Sequence, residues 1–137
     1  MATRTQARTA VIQMLYAIDL GNDNMDKQSA DYLDERKIKG AKAEFAQQLF
    51  QGVLNNLETI DEAIKKHLSK GWDFSRVDNV DKQILRLGVY EILFTPLAYQ
   101  VVINESIEIA KLLSSENSTK FINGILDRVA KEKEGEQ

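Results

Sequence analysis

The chain is predicted to be all-α, with about seven helices, and three observations predict it. Its 137 residues include one proline, Pro96, and seven glycines, few breakers for a protein built of short strands. Stretches of strictly alternating apolar and polar residues are scarce. Apolar residues recur instead at spacings of three and four, the repeat of one helix face. With 43% hydrophobic residues the chain can bury a sizeable core. A single domain over 1–137 is expected, with subdomains of about 1–71 and 72–137.

Thr3-Arg4-Thr5-Gln6 fits a capping box, in which hydroxyl and amide side chains satisfy free backbone donors, so the first helix runs from there to Leu20, where Gly21-Asn22 stops it. Ala7, Ala10, Val11, Met14, Leu15 and Ile18 form one apolar stripe on it. A short helix is expected after Ser29, and Gly40 separates it from a third bearing Phe45, Leu49, Val53 and Leu57. Thr59-Ile60-Asp61-Glu62 offers a second capping box, for a fourth helix that ends by Gly71. Trp72 and Phe74, in the connection from Gly71 to Val77, read as plugs closing the core between two helical layers. Asp78 is a good N-cap for a fifth helix, running to about Phe94 before Thr95-Pro96 interrupts it. Its apolar residues Val80, Ile84, Leu85, Leu87, Val89, Ile92 and Leu93 point in nearly every direction, so it should be the central helix. Asn104 or a close neighbour caps a sixth helix bearing Ile107, Ile109, Ala110 and Leu113, and Asn117-Ser118 cap a seventh bearing Ile122, Ile125, Leu126 and Val129. The polar tail from Lys131 to Gln137 should fray.

Chemistry is poorly supplied. No cysteine is present, which excludes disulfides, thiolate zinc sites and cysteine nucleophiles, and His67 is the single imidazole. His67 follows two lysines and reads as a solvated helical residue. Glu91 falls on the apolar side of the fifth helix, where a carboxylate needs a cation or donors, and reads as structural. Phosphate loops, dinucleotide fingerprints, serine elbows and histidine metal motifs are absent from the sequence. No run of eighteen apolar residues suggests a membrane span. A net charge of −3 argues against coating nucleic acid through bulk positive charge, so any RNA site must be local.

Local candidates lie at both ends. Ile12, Tyr16 and Leu20 form a second row on the first helix, covered either by another helix of the chain or by a partner protein. Arg4 and Arg8 share an edge four residues apart, a solvated face or a pair of guanidinium forks for successive phosphates. The start of the seventh helix at Asn117-Ser118 offers backbone N–H groups, with Lys120 in its first turn. Phe121 falls at the edge of that helix's apolar face, toward Lys120, Gly124 and Arg128, and is either a core ring or a ring on which a base stacks.

Four blocks carry a resemblance: Arg4-Thr5-Gln6-Ala7-Arg8 leading into Gln13-Met14-Leu15-Tyr16; the run from Val80 to Glu91; Ile103 to Lys111; and Lys120 to Asp127. In order and spacing they resemble the NusB family of bacterial transcription antitermination factors, over essentially the whole chain. The resemblance implies an N-terminal three-helix bundle and a C-terminal bundle of about four helices. It also implies a cytoplasmic RNA-binding adaptor that is not an enzyme and needs no cofactor. Such proteins pair with NusE, a ribosomal protein, on the boxA RNA of nascent transcripts, chiefly of ribosomal RNA operons, and help RNA polymerase resist termination. Carried over by position, Arg4 and Arg8 match the family's arginine-rich segment, Lys120 and Phe121 match RNA-facing positions, and Tyr16 and Asp81 match positions tied to NusE. Thr5 and Gln6 make the arginine-rich segment thin, while Asn117 stands where relatives can carry an acid, which favours a nearby phosphate. Monomer and homodimer both remain open. So do two other readings: an RNA-guidance domain like that preceding ribosomal RNA cytosine methyltransferases, and a purely protein-binding helical module.

Overall fold

The computed structural model describes residues 1–135, which form seven α-helices, one 3-10 turn and no strand. Glu136 and Gln137, the end of the tail expected to fray, lie outside the described residues; Lys131 to Gly135 continue the last helix. No helix among the described residues is long and apolar enough to cross a membrane. The chain divides into two compact units, Met1–Asn55 and Asn56–Gln137. The subdomain boundary expected near residue 71 therefore falls earlier, because the fourth helix packs on the fifth and seventh.

In the first unit, α1 (Arg4–Asp19) begins as its capping box dictates. The Thr3 hydroxyl accepts from the Gln6 N–H at 3.0 Å and the Gln6 side chain accepts from the Thr3 N–H at 2.8 Å, satisfying two donors that a helix start leaves open. Ala7, Ala10, Val11, Met14 and Leu15 are buried, and α1 packs on α2 (Met25–Glu35) and α3 (Gly40–Asn55). The start of α2 precedes the expected Ser29: Asn24, a favoured N-cap residue type, holds the N-cap without a side-chain hydrogen bond. Ser29 instead lies buried within α2, where its hydroxyl donates to the Asp26 carbonyl at 2.8 Å and accepts from the Gln47 amide at 2.9 Å.

The second unit holds α4 (Leu57–Lys66), a 3-10 turn at Phe74–Arg76, α5 (Asn79–Phe94), α6 (Tyr99–Leu113) and α7 (Glu116–Gly135). The helix expected at Thr59 starts at Leu57, which thereby leaves the third helix to which it was assigned. Asp61, read as part of a capping box, instead pairs with the guanidinium of Arg86, both contacts at 2.9 Å. Asp78 caps α5 as expected, its carboxylate accepting from the N–H groups of Val80 at 3.0 Å and Asp81 at 3.3 Å. Helices α4, α6 and α7 all pack on α5, and Ile84, Leu85, Leu87, Val89 and Ile92 are buried, as a central helix requires. At Gly88 an added Cβ would lie 2.9 Å from a Leu126 methyl and 3.2 Å from the Ser106 hydroxyl, so the missing side chain permits the close approach of α7. Helix α6 begins well before Asn104, at Tyr99, because the chain can resume a helix soon after Pro96 without a polar cap: Ala98 holds the N-cap with no side-chain bond. At the other end of α5, the Lys133 ammonium donates to the Ile92 carbonyl at 2.5 Å.

One half-buried group differs from expectation and one buried group agrees with it. His67 is not solvated: its side chain is 15% exposed, with Nε2 3.3 Å from Oε2 of Glu132 but misaligned for a hydrogen bond. Lys66 reaches the same oxygen at 2.9 Å, and its hydrogen bond holds the Glu132 carboxyl below its usual pKa against the opposing effect of desolvation. Glu91 is buried as expected and is not without a partner.

Candidate nucleic-acid interface

Each unit carries one cluster of the expected functional residues. On α1, Arg4, Arg8, Ile12, Tyr16 and Leu20 are spaced by four, so the row winds around the helix by roughly 40° per step. Burial follows that drift. Arg4 is exposed, Arg8 is 5% exposed, Ile12 is 2% exposed, Tyr16 is half-buried and Leu20 is 65% exposed. Ile12 thus belongs to the core, at the flank of the apolar stripe, and cannot offer its side chain to a partner; Tyr16 and Leu20 can.

The arginines are organised by a ring. The guanidinium carbons of Arg4 and Arg8 sit 5.2 and 5.0 Å from the centroid of Phe45, which lies half-buried on α3. Cation–π attraction and the covering of the ring by arginine stems hold both heads on this edge of the first unit. Arg8 is therefore not the open surface fork that spacing alone suggests. Sequence reasoning placed Phe45 in the core and missed this role; an aromatic residue at the margin of an apolar face was the available signal.

In the second unit, α7 starts one residue before Asn117. The Ser115 hydroxyl accepts from the Ser118 N–H at 3.2 Å and the Ser115 carbonyl from the Thr119 N–H at 3.2 Å, so Ser115 does the capping expected of Asn117-Ser118. Glu116 adds a carboxylate to the first turn, which weakens the terminus as a phosphate site. Asn117 and Lys120 are exposed, whereas Ser118 is buried with 9% exposure.

Ser118 faces Asp81. That carboxylate, 6% exposed, receives the Ser114 hydroxyl on one oxygen and the Ser118 hydroxyl on the other, each at 2.7 Å. Ser114 has one proton, and its 2.8 Å approach to Ser118 competes for it; the charged acceptor takes it, and Ser115, 3.1 Å from Ser118, supplies the further contact. Asp81, expected at a partner interface, is consequently a buried tie between α5 and the α6–α7 turn. A charge spent internally in this way is not available to be read directly.

Phe121 is half-buried, and its ring packs on Trp72 with centroids 6.0 Å apart and planes tilted by 35°. Trp72 itself is 56% exposed and is not the expected core plug. Phe74 fills that place: half-buried, it lies beneath the cations of Lys82 at 4.7 Å, Lys65 at 5.5 Å and Arg86 at 5.6 Å. Trp72 and Phe121 line an open groove of about 410 Å³ together with Arg76, Asp81, Asn117 and Ser118. The groove thus gathers Asn117, Ser118, Phe121 and Asp81, and adds Trp72 and Arg76, which sequence reasoning did not assign to it; Lys120 does not line it. No group of three or more potential metal-ligating side chains occurs among the described residues.

Comparison with known proteins places this architecture. A transcription antitermination protein NusB of Nitratiruptor sp. is 54% identical over 138 aligned positions, covering 100% of this chain and 99% of that protein. The solved T. maritima NusB superposes with a TM-score of 0.86 at 38% identity, covering 96% of this chain and 92% of that one. A solved complex of antitermination factors NusB and NusE with double-stranded RNA contains a chain matching with a TM-score of 0.83 at 31% identity, over 93% of this chain and 96% of its own length. The model of the NusB family matches residues 5–131, the three-helix and four-helix units agree with it, and the chain belongs to the NusB family.

Proposed function

We propose that this chain is an adaptor of transcription antitermination that binds RNA together with NusE and performs no catalysis of its own. The observation that carries this reading is the relative solved with both NusE and RNA, alike over nearly the full length of each chain. In this reading the RNA is the boxA segment of nascent transcripts, chiefly of ribosomal RNA operons, and the assembly acts on RNA polymerase in the bacterial cytoplasm. Arg4, Lys120 and Asn117 contact phosphates, Arg8 braces the Phe45 edge beside Arg4 and adds its charge there, and Phe121 contacts bases. Tyr16 and Leu20 meet NusE. Asp81 and Ser118 act by fixing the α6–α7 turn, and Ile12 by anchoring α1 beneath the exposed row.

Because the two proteins hold one RNA, each raises the effective concentration of the other, and the ternary complex is tighter than either pair. Fluorescence anisotropy of a labelled boxA RNA, titrated with this chain, with NusE and with both, tests this against a scrambled RNA. Two to four phosphate contacts give a slope of log affinity on log salt of roughly −1.5 to −3 for a single strand. Equal weak binding to both RNAs with no gain from NusE would refute the adaptor reading. Retained NusE binding in that case would leave a protein-binding module.

A further inference from the structure

We infer that Trp72 and Phe121 form a platform on which one unpaired nucleobase of the bound RNA stacks, an inference that rests on the RNA-binding reading above. The chain's single tryptophan is 56% exposed, although a ring of that size gains more from burial than almost any other side chain. Its exposure is fixed by the fold. The turn before it needs Gly71 at φ +91°, the Trp72 N–H donates to the Ser69 carbonyl at 2.9 Å, and Asp73 caps the following 3-10 turn by accepting from the Ser75 N–H at 3.0 Å. One side of the indole rests on Phe121, so a flat partner finds a braced surface rather than a mobile ring.

The groove's chemistry selects the occupant. Its apolar lining is carried mainly by the two aromatic rings, with Val77 its one aliphatic residue, a surface that suits a flat ring better than a branched aliphatic side chain. The exposed Asp78 also lines it, so a phosphate would meet a carboxylate, while the buried Asp81 is taken up by its two serines. A base is neutral, stacks on aromatic faces, and carries edges that can pair with the Asn117 amide and the Arg76 guanidinium. The acidic lining thus turns the backbone outward, toward the exposed Lys120, and leaves the base as the group that enters.

The test uses the intact chain and the intrinsic emission of Trp72, which no second tryptophan obscures. A labelled boxA oligonucleotide is titrated while anisotropy and tryptophan emission are recorded, with and without NusE, and the series is repeated with each nucleotide in turn made abasic. Binding should quench the emission. One abasic position should restore it and weaken affinity about 5- to 150-fold, the range for one lost base–aromatic stack. Annealing the oligonucleotide to its complement should also remove the quenching. Trp72→Leu should weaken intact RNA to the same degree and become indifferent to that abasic position, whereas Trp72→Phe should retain most of the affinity; circular dichroism checks the fold of both. If anisotropy reports binding while the emission stays constant and Trp72→Leu binds like the parent, the platform is overturned and the RNA-binding reading stands. If no RNA binds even with NusE, both fall. If NusE alone changes the emission and RNA adds nothing, the groove is a protein surface and the platform is wrong.

Discussion

Removing the carboxylate of Asp81 tests whether this residue works by contact or by position. Both of its oxygens accept serine hydroxyls at 2.7 Å, from Ser114 and Ser118, and the residue is 6% exposed. Hydrogen bonds to a charged group contribute about 1.5–3 kcal/mol each, so a naive loss for Asp81→Ala is about 3–6 kcal/mol. Two features reduce it. Ser114 is half-exposed and can turn to water, and Ser118 can donate to Ser115 at 3.1 Å once the carboxylate is gone. A net loss of about 2–4 kcal/mol remains, and Asp81→Asn, which keeps one acceptor, should lose about half as much. Urea unfolding followed by circular dichroism measures both, with an unchanged dependence on denaturant. NusE affinity then separates the two roles: Ser114→Ala combined with Ser118→Ala leaves the charge but frees the turn, and should weaken the partner about as much as Asp81→Ala. A stability change below about 0.5 kcal/mol for Asp81→Ala, within the range of an ordinary surface substitution, would refute the tie; full NusE affinity in the double serine variant would refute the positioning role.

Three further outcomes follow from the packing. Asp61→Ala removes the carboxylate paired with the 7%-exposed Arg86, which keeps the Gln83 side-chain oxygen at 3.2 Å, and should cost about 1.5–3 kcal/mol in urea unfolding, whereas adding Arg86→Met should recover much of it, since an apolar replacement removes the buried charge itself. Gly88→Ala gains about 1 kcal/mol of helix propensity but drives a Cβ to 2.9 Å from the fully buried Leu126, an overpacking cost of about 1–3 kcal/mol; calorimetry should show a net loss, larger for Gly88→Val. Because Lys66 lowers the folded-state pKa of Glu132, its stabilisation is present above the ordinary glutamate range and is lost as pH falls through that lowered value. Urea midpoints of the parent and Glu132→Gln should accordingly converge in acid and differ at neutral pH; a constant gap would contradict the pairing.

What the sequence made legible was whatever depended on short-range pattern. The capping box at Thr3 and the cap at Asp78 are read from a few adjacent residues, and the all-round apolar surface of α5 can only be satisfied by neighbours on every side. The start of α6 left no mark because Ala98 holds its N-cap, while Asn24 and Asn56, favoured cap types at α2 and α4, competed with the equally favoured Ser29 and Thr59 a few residues on, and only tertiary packing chooses between them. Site residues were harder for a different reason. Arg8 and Asp81 look like surface charges until a ring and two hydroxyls from distant segments arrive. Trp72 and Phe74 are equivalent in sequence, two aromatics in one connection, and only the positive-φ turn at Gly71 and the cations around Phe74 separate the exposed ring from the half-buried one.

The enclosure of α5 also sets a hierarchy of motion. Its backbone can meet solvent only when α4, α6 and α7 separate from it, so its amide protons should exchange last, through global opening of the second unit. The Trp72 segment, held by one glycine turn and a three-residue 3-10 helix, can open without disturbing that helix. Local opening there leaves α5, the helix that carries Asp81 and Arg86, in place.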